Sequence, residues 1–449
     1  MARIRLCSLL CSLTIGFILL YPALIFAQQS AQTMNLQETI NAAIKANLGL
    51  KQAEAEVKAA QETKKARTTD FLPTLNSTYS YLRRNEPTTQ AIGVQGGGIV
   101  DVLVNPEDEY NFVTSFTQPI FTGFALINQY KIASLGLDVA EIKQQLTRQN
   151  IILDAKNAYF QILKTQKLLD VAQITVKQIM SQKDVAESMY QVGMSPLNDL
   201  LQSQVQLANA KQSLVTAQNN LAIAKSQFNT LLVRPVNSPV AIVDILDYKP
   251  FEHDIDYCLA QAGKNRLEIQ VADLQVQISQ KDYELAKRDY FPTVNLEGSY
   301  YKRGTDWDVN GGEGIADSTY WNIRATATWN FWEWGRTTYG TREKLQRMAQ
   351  AKYNQEQIQI DINQEVKQAY LRTKESEQNI VTIEKAIEQA KENLRITEER
   401  YKEQVSTNTD VLVAQTLYTQ TMTNYYTALY DYKIAKAVLY RAIGQEVLE

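Results

Sequence analysis

Two aspartates sit at matching places in this chain. Asp199 lies nine residues after Tyr190, and Asp410 lies nine residues after Tyr401. A carboxylate in the first turn of a helix can do two things. It can offset the partial positive charge of the helix N-terminus, which stabilises by roughly 0.3–1 kcal/mol. Repeated around an axis, it can form an acidic ring that selects cations. A second acidic set, Asp306-x-Asp308-x-Asn310-Gly311 with Asp317 at the twelfth place, imitates a calcium loop. Asn310-Gly311 is also an ordinary turn signal, and no flanking helices are expected. Catalysis finds no support. His253 is the only histidine, without an adjacent cysteine or a second histidine to build a metal or nucleophile site. The seven methionines form no methionine-rich path for copper. The residues call for neither an enzyme nor a cofactor nor a metal.

The spacing of the two aspartates belongs to a larger repetition. Asp70-Phe71-Leu72-Pro73-Thr74-Leu75-Asn76 returns as Asp289-Tyr290-Phe291-Pro292-Thr293-Val294-Asn295, 219 residues later. Upstream, Leu36, Ala43, Asn47 and Leu50 fall on Ile255, Ala262, Arg266 and Ile269. Further on the offset is 211: Ala158-Tyr159 meets Ala369-Tyr370, and Asp199 meets Asp410. A repeat this long means one structural unit built twice. The reading is a leader over 1–27, a first repeat over 28–232, an inter-repeat segment over 233–254 and a second repeat over 255–449.

Each repeat opens with a helical segment, 36–69 and 255–288, rich in Ala, Gln, Glu and Lys. Pro73 and Pro292 end these segments. An alternating β-hairpin follows, about 74–119 and 293–331, with a long loop at 82–109 or 302–319. Leu75, Ser77, Tyr79 and Tyr81 share one strand face; Thr74, Asn76, Thr78 and Ser80 share the other. Tyr110 and Tyr300 join the aromatic face. All five tryptophans lie between Trp307 and Trp334. Trp321 and Trp329 are eight residues apart on one face, ~26 Å along a strand, close to the ~25 Å apolar band of an outer-membrane barrel. An aromatic core strand of a soluble sheet is the competing reading.

Beyond each hairpin the chain reads as one long helix, 125–188 and 336–399, of ~95 Å. A break at Tyr190-Gln191-Val192-Gly193-Met194-Ser195-Pro196 reverses the chain. Ser195 is expected to cap the return helix, with Pro196 at its first position. That helix carries a seven-residue seam: Leu200, Leu207, Leu214, Leu221 and Phe228, matched by Val411, Tyr418, Tyr425, Tyr432 and Leu439. A strict heptad implies left-handed coiled-coil packing.

Met1 to Ala27 has the basic start and apolar run of a secretory signal peptide. Without Arg3 and Arg5 the formal charge moves from −3 to −5, which is no nucleic-acid footprint. After residue 27 no run reaches the roughly 18 apolar residues of a membrane helix. A transmembrane β-barrel escapes that test, because its strands alternate. Two hairpins give four strands, too few to close a barrel, and an open edge in lipid is excluded. Three chains would supply 12 strands.

This arrangement resembles the TolC-like outer membrane factors, over about 34–445. The likeness rests on the duplicated Phe/Tyr-Leu/Phe-Pro before each first strand, and on the turns Tyr190-x-x-Gly193 and Tyr401-x-x-Gln404. The corners Ile120-Phe121-Thr122-Gly123-Phe124 and Phe331-Trp332-Glu333-Trp334-Gly335-Arg336 add to it. The resemblance implies an α+β membrane protein: a homotrimeric 12-stranded barrel in the outer membrane, continuous with a long periplasmic helical tunnel. It implies an exit duct of a tripartite efflux or type I secretion system, shut at the turns 189–197 and 400–408. Its partners would be a periplasmic adaptor, packed near 180–210 and 391–421, and an inner-membrane transporter. It implies that Asp410 contributes to an acidic ring, and that a link from Tyr401 to Asp199 holds the entrance shut. Some relatives carry a second acid where this chain has Val413, an arginine latch where it has Ser406, and glycine where it has Gln404. A constitutive porin with a periplasmic extension and a non-conducting coiled-coil scaffold are the alternatives. Arg83, Arg84, Lys302 and Arg303 are candidates for lipopolysaccharide phosphates, or ordinary solvated loop charges.

Overall fold

The computed structural model describes residues 33–245, 248–315 and 318–446. The expected leader and Asp317 of the calcium-like loop lie outside them. In chain order the first half runs β1 (Thr33–Met34), α1 (Leu36–Ala46), α2 (Leu48–Thr69), β2 (Thr74–Arg83), β3 (Thr88–Val94), β4 (Gly98–Asn105), β5 (Asp108–Thr122), α3 (Ala125–Gln191) and α4 (Leu197–Leu231). The second half runs β6 (Ala241–Ile242), α5 (Ile255–Asn265), α6 (Leu267–Ala286), β7 (Thr293–Gly304), β8 (Thr319–Thr328), α7 (Arg336–Lys402) and α8 (Asn408–Ala442). α3 and α7 have 67 residues each, about 100 Å of helix. α4 and α8 have 35 each.

The opening helical segments are not continuous, as the composition suggested. Each breaks after one short helix, at Asn47 and at Arg266, and both breaking residues are extended. At Asn47 the cause is local: its Oδ1 accepts from the backbone N–H groups of Gly49 and Leu50 and starts a new helix. Arg266 gives no such cap; its side chain is drawn into an ion cluster at the end of α8.

Four strands form one antiparallel sheet in the order β2-β5-β7-β8. The two expected hairpins pair internally, and β5 pairs with β7 to join them. Among the described residues, β2 and β8 each have one unpaired edge. The ladder sets Tyr79 opposite Phe112, Leu75 opposite Phe116 and Gly298 opposite Ile323 on one face. The other face carries Asn76 opposite Ser115, Glu297 opposite Arg324 and Ser299 opposite Asn322. Two boundaries differ from expectation. The segment 82–109 is not plain loop but holds the hairpin β3–β4, built from the alternating Ile and Val that the glycines obscured. β8 ends at Thr328, so Trp329 lies just past the strand.

Strand becomes helix at two left-handed corners. Gly123 and Phe124 have φ of 61° and 67°; Trp334 and Gly335 have 52° and 85°. A Cβ on Gly123 would stand 2.4 Å from the Arg288 carbonyl, so the close approach of the two halves of the chain requires glycine there.

α2 and α4 both pack along α3, and α6 and α8 both pack along α7. The heptad seam faces inward: Leu200, Leu221, Phe228, Val411, Tyr432 and Leu439 are buried, and Leu207, Leu214, Tyr418 and Tyr425 are half-buried. The core lies where the long helices meet the short ones. Ile40, Ala43, Tyr159, Leu163, Phe228 and Tyr430 form its first cluster. Cys258, Ala262, Val366, Leu439 and Ile443 form a second. The inter-repeat strap is clasped here by hydroxyls. Tyr159 donates to the Val243 carbonyl. Tyr430 donates to Asp244 at 3.1 Å, and Tyr432 to the Lys249 carbonyl at 2.7 Å.

Candidate functional site

Both helical tips close with the same backbone motif. The Gly193 N–H donates to Tyr190 O at 3.0 Å and the Met194 N–H to Met189 O at 2.8 Å. In the second tip Gln404 donates to Tyr401 O at 3.0 Å, and Val405 to Arg400 O at 2.8 Å. This pair of bonds needs a left-handed residue after the helix. Gly193 adopts φ 76° without strain; Gln404 adopts φ 60° with a side chain attached.

The return helices start differently. Pro196, not Ser195, is the capping residue of α4, extended at φ −71° and ψ 154°. Proline's ring leaves it no N–H to place, and the Ser195 hydroxyl turns instead to Asp199 Oδ2 at 3.3 Å. Thr407 caps α8 in a reciprocal box. Its Oγ1 accepts from the Asp410 N–H at 3.2 Å, while Asp410 Oδ2 accepts from the Thr407 N–H at 2.9 Å. The Thr407 N–H, and then the Thr407 hydroxyl at 2.8 Å, both donate to Asp410 Oδ2 and hold its carboxyl below the usual carboxylate range. Asp410 is exposed, and in this chain its first task is therefore the cap. Ser406 donates to the Thr397 carbonyl at 3.2 Å. Tyr190 is 40 % exposed.

The expected bond from Tyr401 to Asp199 is not made. Tyr401 is 4 % exposed, and its hydroxyl finds no hydrogen-bond partner among the described residues. Burial, and then the neighbouring Asp199 carboxylate, push its phenol up. The link runs through Asn408 instead. Asn408 is fully buried. Its Nδ2 donates to the Asp199 backbone carbonyl at 2.9 Å, and its Oδ1 accepts from Gln182 Nε2 at 2.9 Å. The Ser203 hydroxyl lies 3.0 Å from Nδ2. One side chain thus ties α8 to both α3 and α4. Thr409 adds a bond to Gln202 at 3.0 Å. Asn408, Ser203 and Gln182 escaped the sequence reading, which named none of them. The signal was present: Asn408 and Gln415 are seven residues apart, polar groups on a packing face.

The sheet brings the aromatic residues together in two rows. Tyr81 pairs with Tyr110, with ring centroids 4.7 Å apart. Tyr300 pairs with Trp321. Trp321 and Trp329 are exposed, at 70 % and 57 %. Phe331, Trp332 and Trp334 continue the exposed aromatic run beyond Trp329. At the loop end, Arg84 and Arg303 both reach the buried Glu109, at 2.8 and 2.7 Å, and Arg83 pairs with Glu107. These rim arginines are partnered within the chain. In the calcium-like loop, Asp308 accepts from the Asn310 N–H at 3.3 Å, as in an ordinary Asx turn.

An amphipathic antiparallel sheet, open at both edges and running straight into ~100 Å helices, defines a channel-type envelope protein. The family model for outer membrane efflux proteins matches residues 39–232 and 258–445. The chain belongs to that family, and it is a protein of the outer membrane that extends into the periplasm. It is 22 % identical over 424 residues to outer membrane protein TolC of Vibrio cholerae, covering 91 % of this chain and 90 % of that one. It is 23 % identical over 315 residues to TolC of Escherichia coli, 68 % of this chain and 64 % of the relative. Among solved structures, CusC matches with a TM-score of 0.78 at 18 % identity, covering 92 % of each chain. VceC of Vibrio cholerae matches at 0.77 and 16 %, covering 91 % of this chain and 96 % of that one. At these identities the structural likeness speaks for the fold.

Proposed function

We propose that this protein is a passive exit duct, three copies of which close a 12-stranded barrel above a helical tunnel. The observation that carries the reading is the four-stranded sheet with one apolar face, one polar face and two unpaired edges. Lipid tolerates no open edge, so β2 of one copy meets β8 of the next. The face of Tyr79, Phe112 and Ile323 then meets lipid, with Trp321, Trp329, Tyr81, Tyr110 and Tyr300 as its girdle. The face of Asn76, Ser115 and Glu297–Arg324 lines the water.

The duct serves a tripartite efflux or secretion system. A periplasmic adaptor packs on the hairpin tips near 180–210 and 391–421, and an inner-membrane transporter supplies the energy. The tips are the gate. Asn408 anchors the second hairpin to Asp199, Ser203 and Gln182 of the first, and opening breaks those bonds. Asp199 lines the constriction beside it, and Tyr401 packs under the turn.

Single-channel conductance of the purified protein in a planar bilayer tests this, beside the Asp199→Ala/Asp410→Ala variant. The duct predicts a small, cation-selective conductance that changes in the variant. A large conductance indifferent to both substitutions would sink the gate and favour a constitutive porin.

A further inference from the structure

The two hairpins of the sheet keep one internal register. Thr74 stands opposite Thr117 and Leu75 opposite Phe116. Their counterparts Thr293 and Val294 stand opposite Thr328 and Ala327, the counterparts of those partners. The corners that follow are left-handed at equivalent places, Gly123-Phe124 and Trp334-Gly335. Within the chain the hairpins meet through β5 and β7, with Phe116 opposite Gly298 and Phe121 opposite Val294. A Cβ on Gly298 would stand 2.2 Å from the Phe116 ring, so this joint sets a large side chain against the smallest residue. The outer strands β2 and β8 are exposed along their whole length.

We propose that the seam between copies repeats the β5–β7 joint residue for residue, so that β8 runs antiparallel to β2 of the next copy with Ala327 opposite Tyr79. The inference rests on the duct reading and adds the register to it. A barrel closed from equivalent hairpins is regular when every joint has the same stagger. Carried over by the repeat, the Phe116–Gly298 pair becomes Ala327–Tyr79. Ala325 then falls opposite Tyr81, and Trp329 opposite Ser77. Each of these large side chains meets a small one, as at the joint inside the chain. A slide of two residues loses that fit. In one direction Trp329 meets Tyr79; in the other Ile323 meets Tyr81, while Ala327 and Ser77 leave a gap. A slide of one residue turns the tyrosines toward the water face. At the base of the seam the Phe121–Val294 pair becomes Trp332–Leu75, which are 68 % and 79 % exposed in the single chain. On the water face Thr326 falls opposite Ser80.

The test is disulfide cross-linking of the purified full-length protein in detergent, read on a non-reducing gel. Side chains directly opposite have Cβ atoms about 4.5–5.5 Å apart and diagonal ones about 7–8 Å, against the roughly 3.5–4.5 Å a disulfide needs. Ser80→Cys/Thr326→Cys should therefore link three chains covalently on oxidation. Thr78→Cys/Thr326→Cys and Leu82→Cys/Thr326→Cys, which match the two slid registers, should link at least tenfold more slowly. Single-cysteine variants give the background; Cys258 is fully buried. Faster linking in either slid pair would overturn the register and leave the duct standing. If no pair links while light scattering still gives the mass of three chains, the register is overturned alone. If no pair links and the mass is that of one chain, the duct reading falls with it.

Discussion

The same long helices are joined in opposite ways at their two ends. Near the core, α3 and α8 meet through Tyr159, Leu163, Phe160 and Tyr430, all buried, with the strap and its tyrosine hydroxyls wrapped around them. Burial of such side chains stabilises by roughly 1.5–3 kcal/mol each. Near the tips, α3 and α4 meet α8 through Gln182, Ser203, Asn408, the Thr175–Thr419 pair and the unpartnered Gln415. Such hydrogen bonds net only about 0.5–1.5 kcal/mol each, because water replaces them when they break. Leu200 and Val411 carry the buried apolar seam of each hairpin to the tip. The contrast teaches where the molecule separates: two rigid hairpins, welded at the core end and held at the tip by polar contacts.

The largest effect belongs to the core end. Arg266 is 4 % exposed. It pairs with Glu268 and Glu365, both at 2.8 Å, and donates to the Ala442 carbonyl at 3.1 Å. Arg441 reaches Glu268 at 2.7 Å from the end of α8. Breaking a buried pair costs about 3–5 kcal/mol. The carboxylates keep some solvent, so Arg266→Ala should cost about 3 kcal/mol. A thermal melt should show the loss, while single-channel conductance stays at the wild-type level. A variant with normal stability and an open channel would reverse the assignment of the two ends.

The same cluster gives the next effect. Burial opposes ionisation of Glu268, but Arg266, the residue's own backbone N–H and Arg441 together outweigh it and hold the carboxyl below its usual range. A depressed carboxyl contributes stability above its unfolded pKa and loses it as pH falls through the folded value. The melting midpoint should therefore fall as pH drops below about 4.5, the ordinary value. In Arg266→Ala that acid slope should be shallower. Equal slopes in the two proteins would remove Glu268 from the account.

At the tip the expected pattern inverts. Asn408→Leu leaves Gln182, Ser203 and the Asp199 carbonyl without their shared partner, a local cost of about 1–3 kcal/mol. The melting midpoint should move little, because the loss falls at an end that opens on its own. Conductance should rise, and Asn408→Asp should raise it further, since the carboxylate cannot donate to the Asp199 carbonyl. An unchanged conductance in both would detach Asn408 from gating.

How much of this was legible depends on the range over which each signal acts. Pro73, Pro292 and the alternation of Thr74 to Tyr81 are local, and the strands appeared where they pointed. The heptad from Leu200 to Phe228 is nearly local, and its positions are buried at Leu200, Leu221 and Phe228 and half-buried at Leu207 and Leu214. The breaks at Asn47 and Arg266 were harder. Asn47 announces itself as a cap only once the helix is known to stop, and Arg266 is held by residues about 100 and 175 positions away. Asn408 was hidden for the same reason. Its partners sit 205–226 residues away in sequence, and nothing next to it distinguishes a latch from a cap. Ser195 shows the reverse error, a good capping residue displaced by the proline after it.

The smallest effect sharpens the comparison inside the tip itself. Gly193 and Gln404 occupy the same left-handed place in two otherwise identical backbone motifs. A side chain in that region costs roughly 1–2 kcal/mol by contact of Cβ with the following carbonyl. Gln404→Gly relieves that strain and also loosens the unfolded chain, an opposing effect of up to ~1 kcal/mol. The net should be a gain of a few tenths of a kcal/mol, visible as a slightly higher midpoint. The mirror substitution, Gly193→Gln, meets nothing within 4 Å of its new Cβ, so its cost is the backbone strain alone. If the second hairpin is the one that moves, Gln404→Gly should shift the closed–open balance measured as conductance, while Gly193→Gln should change only stability. Matching conductance shifts from both substitutions would mean that the two tips move together, and that Asn408 couples them instead of restraining one.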